Sequence, residues 1–145
     1  MKKLLLFLLA VILAASLGSL MQSLFNLMAI SQLAGPISMA DWLATILHDL
    51  MHFMPVLAAI FFPILLVSLV VSGELSRWLR LSRLAGSFAI AALGTWIALM
   101  LINAFAPMPT LIALNRSVVG TVLLLCCCGI AAIFYRFFTA ERRLS

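Results

Sequence analysis

The sequence predicts an all-α fold, an integral membrane bundle of four transmembrane helices, on three observations. The chain has 145 residues, of which 66% are hydrophobic and 9% charged, against roughly 25% charged in a soluble domain. Mean hydropathy is +1.29. Four apolar stretches reach the ~20 residues that a helix needs to cross hydrocarbon, and the basic residues sort to one side of those crossings. A chain of this length suits one compact domain, residues 1–145.

The first stretch runs from Leu4 to about Leu33. Its start, Met1-Lys2-Lys3-Leu4-Leu5-Leu6-Phe7, has the form of a secretory signal, with Ala14-Ala15-Ser16 as a cleavage site. Because the apolar run continues to Leu33, an uncleaved first span is expected. The second stretch runs from Trp42 to about Val71, the third from Leu84 to about Ala106, and the fourth from Leu111 to about Phe138. Gly35-Pro36, Ser72-Gly73-Glu74, and Pro107 with Pro109 separate them. The first two exceed a straight crossing, so they should tilt or project. Pro55 and Pro63 should kink the second.

Orientation follows from lysine and arginine placement. Lys2, Lys3, Arg77, Arg80, Arg83, Arg136, Arg142 and Arg143 all fall on one side of four crossings, leaving Arg116 on the other. The expected arrangement is up-down-up-down in a bacterial inner membrane, with both termini cytoplasmic. The net charge of +5 does not point to nucleic acid, because the basic groups cap apolar spans and form no continuous face. They suit anionic lipid head groups instead.

Cys126, Cys127 and Cys128 are consecutive in the fourth stretch. Helical neighbours diverge by about 100°, so the three cannot share one metal ion. Small apolar packing is their expected role. Short matches, Leu17-Gly18-Ser19 with Leu93-Gly94-Thr95 and Leu47-His48-Asp49 with Leu114-Asn115-Arg116, hint at a parallel repeat.

The residues that stand out chemically are Leu47-His48-Asp49-Leu50-Met51-His52. Ionisable groups within a span cost roughly 2.5–3.5 kcal/mol each on insertion scales and tend to serve a function. Asp49 lies about 10 Å along a helix from Trp42, a depth matched by Arg116, which makes the two natural partners. Gln22, Asn26, His48, His52 and Asn103 fall in the same half. Small residues mark seams for close helix approach: Ala15, Gly18 and Ala29; Ser87, Ala91, Gly94 and Ala98; Ser117, Gly120, Cys127 and Ala131. The expectation is a ligand pocket of Gln22, Asn26, His48, Asp49, His52, Asn103 and Arg116, opening to the periplasm over a floor with little polar beyond Ser68 and Ser87. Such one-sidedness argues against a through-channel.

His48 and His52 are one turn apart, a spacing suited to a shared metal ion. The run H-D-x-x-H resembles the H-E-x-x-H zinc box of metalloproteases, with Asp49 in the glutamate position. It also resembles the first histidine box of membrane fatty-acid desaturases, which gather many histidines around two irons. Each resemblance covers five residues, the chain has 2 histidines in all, and membership of neither family follows. Haem could take one histidine but not both as opposite axial ligands.

The leading functional expectation is a non-enzymatic accessory subunit or small homo-oligomer that binds a lipid or quinone head group. A metal- or haem-dependent redox or hydrolytic protein using His48 and His52 is the alternative. A small proton-coupled transporter is the third reading.

Overall fold

A computed structural model describes residues 1–78, 82–105 and 113–141, with side chains for all of these except 76–78, 113, 116 and 141. The described residues form five α-helices: α1 (Lys2–Ala34), α2 (Met39–His52), α3 (Met54–Trp78), α4 (Arg83–Phe105) and α5 (Val118–Glu141). A single 3₁₀ turn, Ala113–Arg116, precedes α5. Four of the helices are long and apolar enough to cross a membrane: Lys2–Ala34, Met54–Leu75, Arg83–Phe105 and Val118–Ala140. The chain is a multi-pass membrane protein by length and composition of these elements.

Serine caps start three helices. Ser38 Oγ accepts from the Asp41 amide at 3.2 Å and donates to the Asp41 carboxylate at 2.7 Å, opening α2. Ser82 Oγ accepts from the Ala85 amide at 3.2 Å to open α4, and Ser117 Oγ from the Gly120 amide at 2.9 Å to open α5. Each satisfies an amide that the first helical turn leaves without a partner.

The segment expected as one span, Trp42 to Val71, is divided. α2 ends at His52, Phe53 intervenes, and α3 begins at Met54. Pro55 explains the break: it has no N–H for the Met51 carbonyl, and its ring crowds the preceding turn. Hydrogen bonds from Phe53 N to Asp49 O (2.8 Å) and from Leu57 N to Phe53 O (3.1 Å) carry the chain through. Pro63 is accommodated inside α3. In the fourth span the described helix starts at Val118, after the 3₁₀ turn and the Ser117 cap; Leu111 lies outside the described residues.

The four long helices close a ring in which α1 and α4 each pack against both α3 and α5. Phe7 meets Phe62 of α3 and Tyr135 of α5 edge-on, with ring centroids 5.1 and 6.4 Å apart. Gly18 lies against Leu57, Phe61 and Leu124. The fully buried middle consists of Leu57, Phe61, Leu65, Leu124 and Cys128, surrounded by Ala10, Ala14, Ala15, Ala91, Ala131 and Ala132. Alanine at these positions lets backbones approach closely, which is where packing between membrane helices gains its energy. Gly129 makes room for the Phe88 ring of α4, because a Cβ there would fall 2.4 Å from it.

The seams differ in part from expectation. On α4 the buried row runs Ser87, Ala91, Thr95 and Leu99, while the half-buried Gly94 lies against α3, where a Cβ would fall 2.8 Å from Ser68 Oγ. On α1, Ala15, Gly18 and Gln22 are buried but Ala29 is exposed. The reason is length. α1 has 33 residues, about 50 Å of helix, against a hydrocarbon core of about 30 Å. Its last third runs past the bundle and α2 folds back along it.

Gly35 makes that reversal. It caps α1 with φ 91° and ψ −174°, a conformation essentially restricted to glycine. Gly35→Ala is expected to lower stability by about 1–3 kcal/mol, measured as a fall in the thermal unfolding midpoint in detergent. An unchanged midpoint would show that the turn tolerates a side chain.

Candidate functional site

The site grows from the contact between α1 and α2. Ser23, buried on α1, shares its one hydroxyl proton between the Asp49 carboxylate at 2.6 Å and the Ser19 carbonyl at 3.0 Å. Nearer the bundle, Ser16 Oγ reaches Met54 Sδ at 3.4 Å. The first of these contacts holds α2 against α1, and the last holds the start of α3 against α1. Asp49 is half-buried and turns toward α1. A carboxylate that accepts a hydroxyl makes a charge-assisted hydrogen bond, roughly twice as strong as a neutral one.

Beside this contact, two polar groups lack partners. Ser19 Oγ and Gln22 Oε1 are buried without a hydrogen bond, and their residues are 0% and 7% exposed. Leaving a buried acceptor unpaired costs on the order of 1–3 kcal/mol. Native structures rarely bear that cost without water, a ligand or a function.

The predicted pocket residues separate into two groups. Asp49 meets Ser23, whose helical turn also carries Ser19 and Gln22, and Asn26 lies half-buried one turn along α1 from Gln22. His48 and His52 are exposed on α2, rings stacked with centroids 4.2 Å apart. Asn103 belongs elsewhere. It accepts from the Asn115 amide at 3.3 Å, and Thr121 donates to the Asn115 carbonyl at 2.9 Å. These groups line a cleft of about 190 Å³ with Trp96, Leu99 and Met100. Arg116 falls in the 3₁₀ turn beside Asn115, and its side chain, hence the Asp49 pairing, lies outside the described residues.

Placement on α2 changes the environment of the histidines. α2 has 14 residues, about 21 Å, and it is not among the membrane-length helices. His48, Asp49 and His52 therefore sit on a helix that is by itself shorter than a crossing requires. Among the described residues, no group of three or more His, Cys, Asp or Glu side chains is gathered to hold a metal ion. Asp49, the counterpart of the zinc-box glutamate, is committed to Ser23.

One polar constellation was missed. Arg136 on α5 donates to the Leu69 carbonyl, to Ser72 Oγ at 2.8 Å and to Ser87 Oγ at 3.1 Å, so one guanidinium ties α3 and α4 to α5. Ser87 also donates to the Arg83 carbonyl at 2.8 Å. The half of the bundle expected to be apolar thus has a polar knot. The signal available was the combination of Ser68, Ser72 and Ser87 with an arginine one residue past a tyrosine, still inside the helical run.

Arg136→Leu should lower stability by about 1.5–3 kcal/mol, the range for hydrogen bonds to charged groups. Arg136→Lys should recover only part of it, because an ammonium cannot span acceptors as a planar fork does. Chemical unfolding of both variants in detergent checks this, and equal stability of Arg136→Leu and the parent would remove the knot from the account.

Comparison with protein-family models, characterised proteins and solved structures finds no match to this chain.

Proposed function

We propose that the chain is a non-enzymatic accessory subunit or small oligomer of a bacterial inner membrane, with a periplasmic site for a lipid or quinone head group. The unpaired, buried Ser19 hydroxyl and Gln22 carbonyl beside the Asp49–Ser23 contact carry this reading. Gln22 Oε1 and the Asp49 carboxylate are acceptors. A head group that donates hydrogen bonds, such as an ethanolamine ammonium or a quinol hydroxyl, would satisfy them while its tail stays in lipid. The cleft at Asn103 and Asn115, about 190 Å³, is below the roughly 300–1,000 Å³ of drug-sized sites. It suits a head-group fragment better than a whole ligand.

An up-down-up-down course is supported by the contacts of Phe7 with Phe62 and Tyr135, of Gly18 with Leu57 and Leu124, and of Ser87 with Ser72 and Arg136. Moving along α1 from Phe7 to Gly18, the partners step backwards from Phe62 to Leu57 on α3 and from Tyr135 to Leu124 on α5, and Ser87, early in α4, meets Ser72 and Arg136, late in α3 and α5. Basic residues around the termini and the α3–α4 connection support a cytoplasmic assignment for that end. In a background with Cys126, Cys127 and Cys128 replaced by alanine, a membrane-impermeant maleimide should label Ala40→Cys in spheroplasts. It should reach Ala85→Cys only after permeabilisation; the reverse pattern would invert the topology.

The ligand is tested by native mass spectrometry of protein extracted with its own lipids. The parent should retain a lipid or quinone, and Gln22→Leu should lose it with no fall in melting temperature. No adduct on the parent, or equal retention by Gln22→Leu, would overturn the reading and leave Gln22 a structural residue.

A further inference from the structure

The exposed pair on α2 stands apart from the head-group site and does not rest on it. We propose that His48 and His52 form an exchangeable two-imidazole site for a late divalent transition metal. Three observations combine. The residues occupy positions i and i+4 of one helix, the spacing at which two imidazoles can share an ion. Their rings are already neighbours, 4.2 Å between centroids and 22° between planes. Both side chains are exposed, so an ion and its waters can approach.

The fourth feature is the tautomer. His52 Nδ1 lies 3.0 Å from the His48 carbonyl. A carbonyl only accepts, so Nδ1 carries the proton and the lone pair is on Nε2. A backbone carbonyl on the far nitrogen is the usual outer-shell partner of a metal-bound histidine, fixing its ring and raising its basicity. Two nitrogens bound to one ion at about 2.0–2.1 Å lie roughly 3–3.5 Å apart. The stacked rings need only splay so that both planes meet at the ion, and nothing buried has to move.

Imidazole nitrogen suits zinc, copper and nickel. With two protein ligands, water fills the remaining positions, which makes the site open and exchangeable. Asp49 does not complete it, because its carboxylate faces Ser23 on the α1 side. Cys126, Cys127 and Cys128 are half-buried or buried in α5, on a different element.

The test is titration calorimetry of the tag-free, full-length protein in detergent with Ni²⁺ as the probe. The parent should bind one ion per chain. His48→Ala and His52→Ala should each weaken binding by roughly tenfold or more, and the double variant should not bind. Both residues are exposed, so melting temperatures should match the parent without metal. A variant with all three cysteines replaced by alanine should bind like the parent. No binding by the parent, undiminished binding by the double variant, or loss of binding with the cysteines would overturn the assignment.

Discussion

The mismatch between helix length and bilayer thickness organises this molecule. Inside hydrocarbon every backbone group must be satisfied within its own helix, so each crossing is an unbroken helix of about 20 residues or more. α4 and the apolar part of α3, at 23 and 22 residues, fit that requirement closely. α1, at 33 residues, does not. Its surplus turns lie beyond its bundle neighbours, and a free apolar helix end of that length needs a partner. α2 is the partner, reversed at Gly35 and released from α3 by Pro55. The hairpin, the Ser23–Asp49 contact at its base and the histidines on its outer face all follow from those surplus turns.

Much of this was legible in the sequence. Hydropathy and the breakers located four spans, and Pro55 announced an interruption. The third span came within one residue at each end. The start of α2 was also legible in Ser38-Met39-Ala40-Asp41, a capping-box pattern. It was masked because the apolar residues of α2 and α3 read as one stretch, and hydropathy has no term for direction. Arg136 was counted as a flanking charge, since a sequence window cannot tell an arginine that reaches water from one folded back onto carbonyls and hydroxyls. Ser23 went unremarked for a related reason: serine in an apolar helix commonly bonds its own backbone, as Ser23 does with Ser19, and its second bond to Asp49 is visible only in three dimensions. The seven predicted pocket residues were grouped by expected depth, but depth does not imply a shared cavity, and Asn103 pairs with Asn115 beside Trp96 and Met100.

The two polar constellations differ in how fully they are satisfied. Arg136, Ser72 and Ser87 form a connected network in which donors and acceptors alternate, and such a network rigidifies the helices it joins. At the opposite end Ser23 and Asp49 are satisfied while Ser19 and Gln22 beside them are not. Neither end is satisfied throughout, since Thr139 Oγ1, three residues past Arg136, is also buried without a partner.

Between the two ends the centre of the bundle, among the described residues, is apolar. Leu57, Phe61, Leu65 and Leu124 are fully buried across the middle, and the buried Thr95 hydroxyl is turned back onto the Ala91 carbonyl of its own helix. An ion or proton moving along the axis would cross this layer without a ligand, at the cost that keeps charges out of hydrocarbon. Water cannot substitute, because a wet passage needs polar partners for each water. A carrier would have to part α1 from α3, and Gly18 is seated directly against Leu57 and Phe61 at that contact. The same packing seats α3 beneath Phe53, whose amide donates to the Asp49 carbonyl and so joins α2 to the bundle.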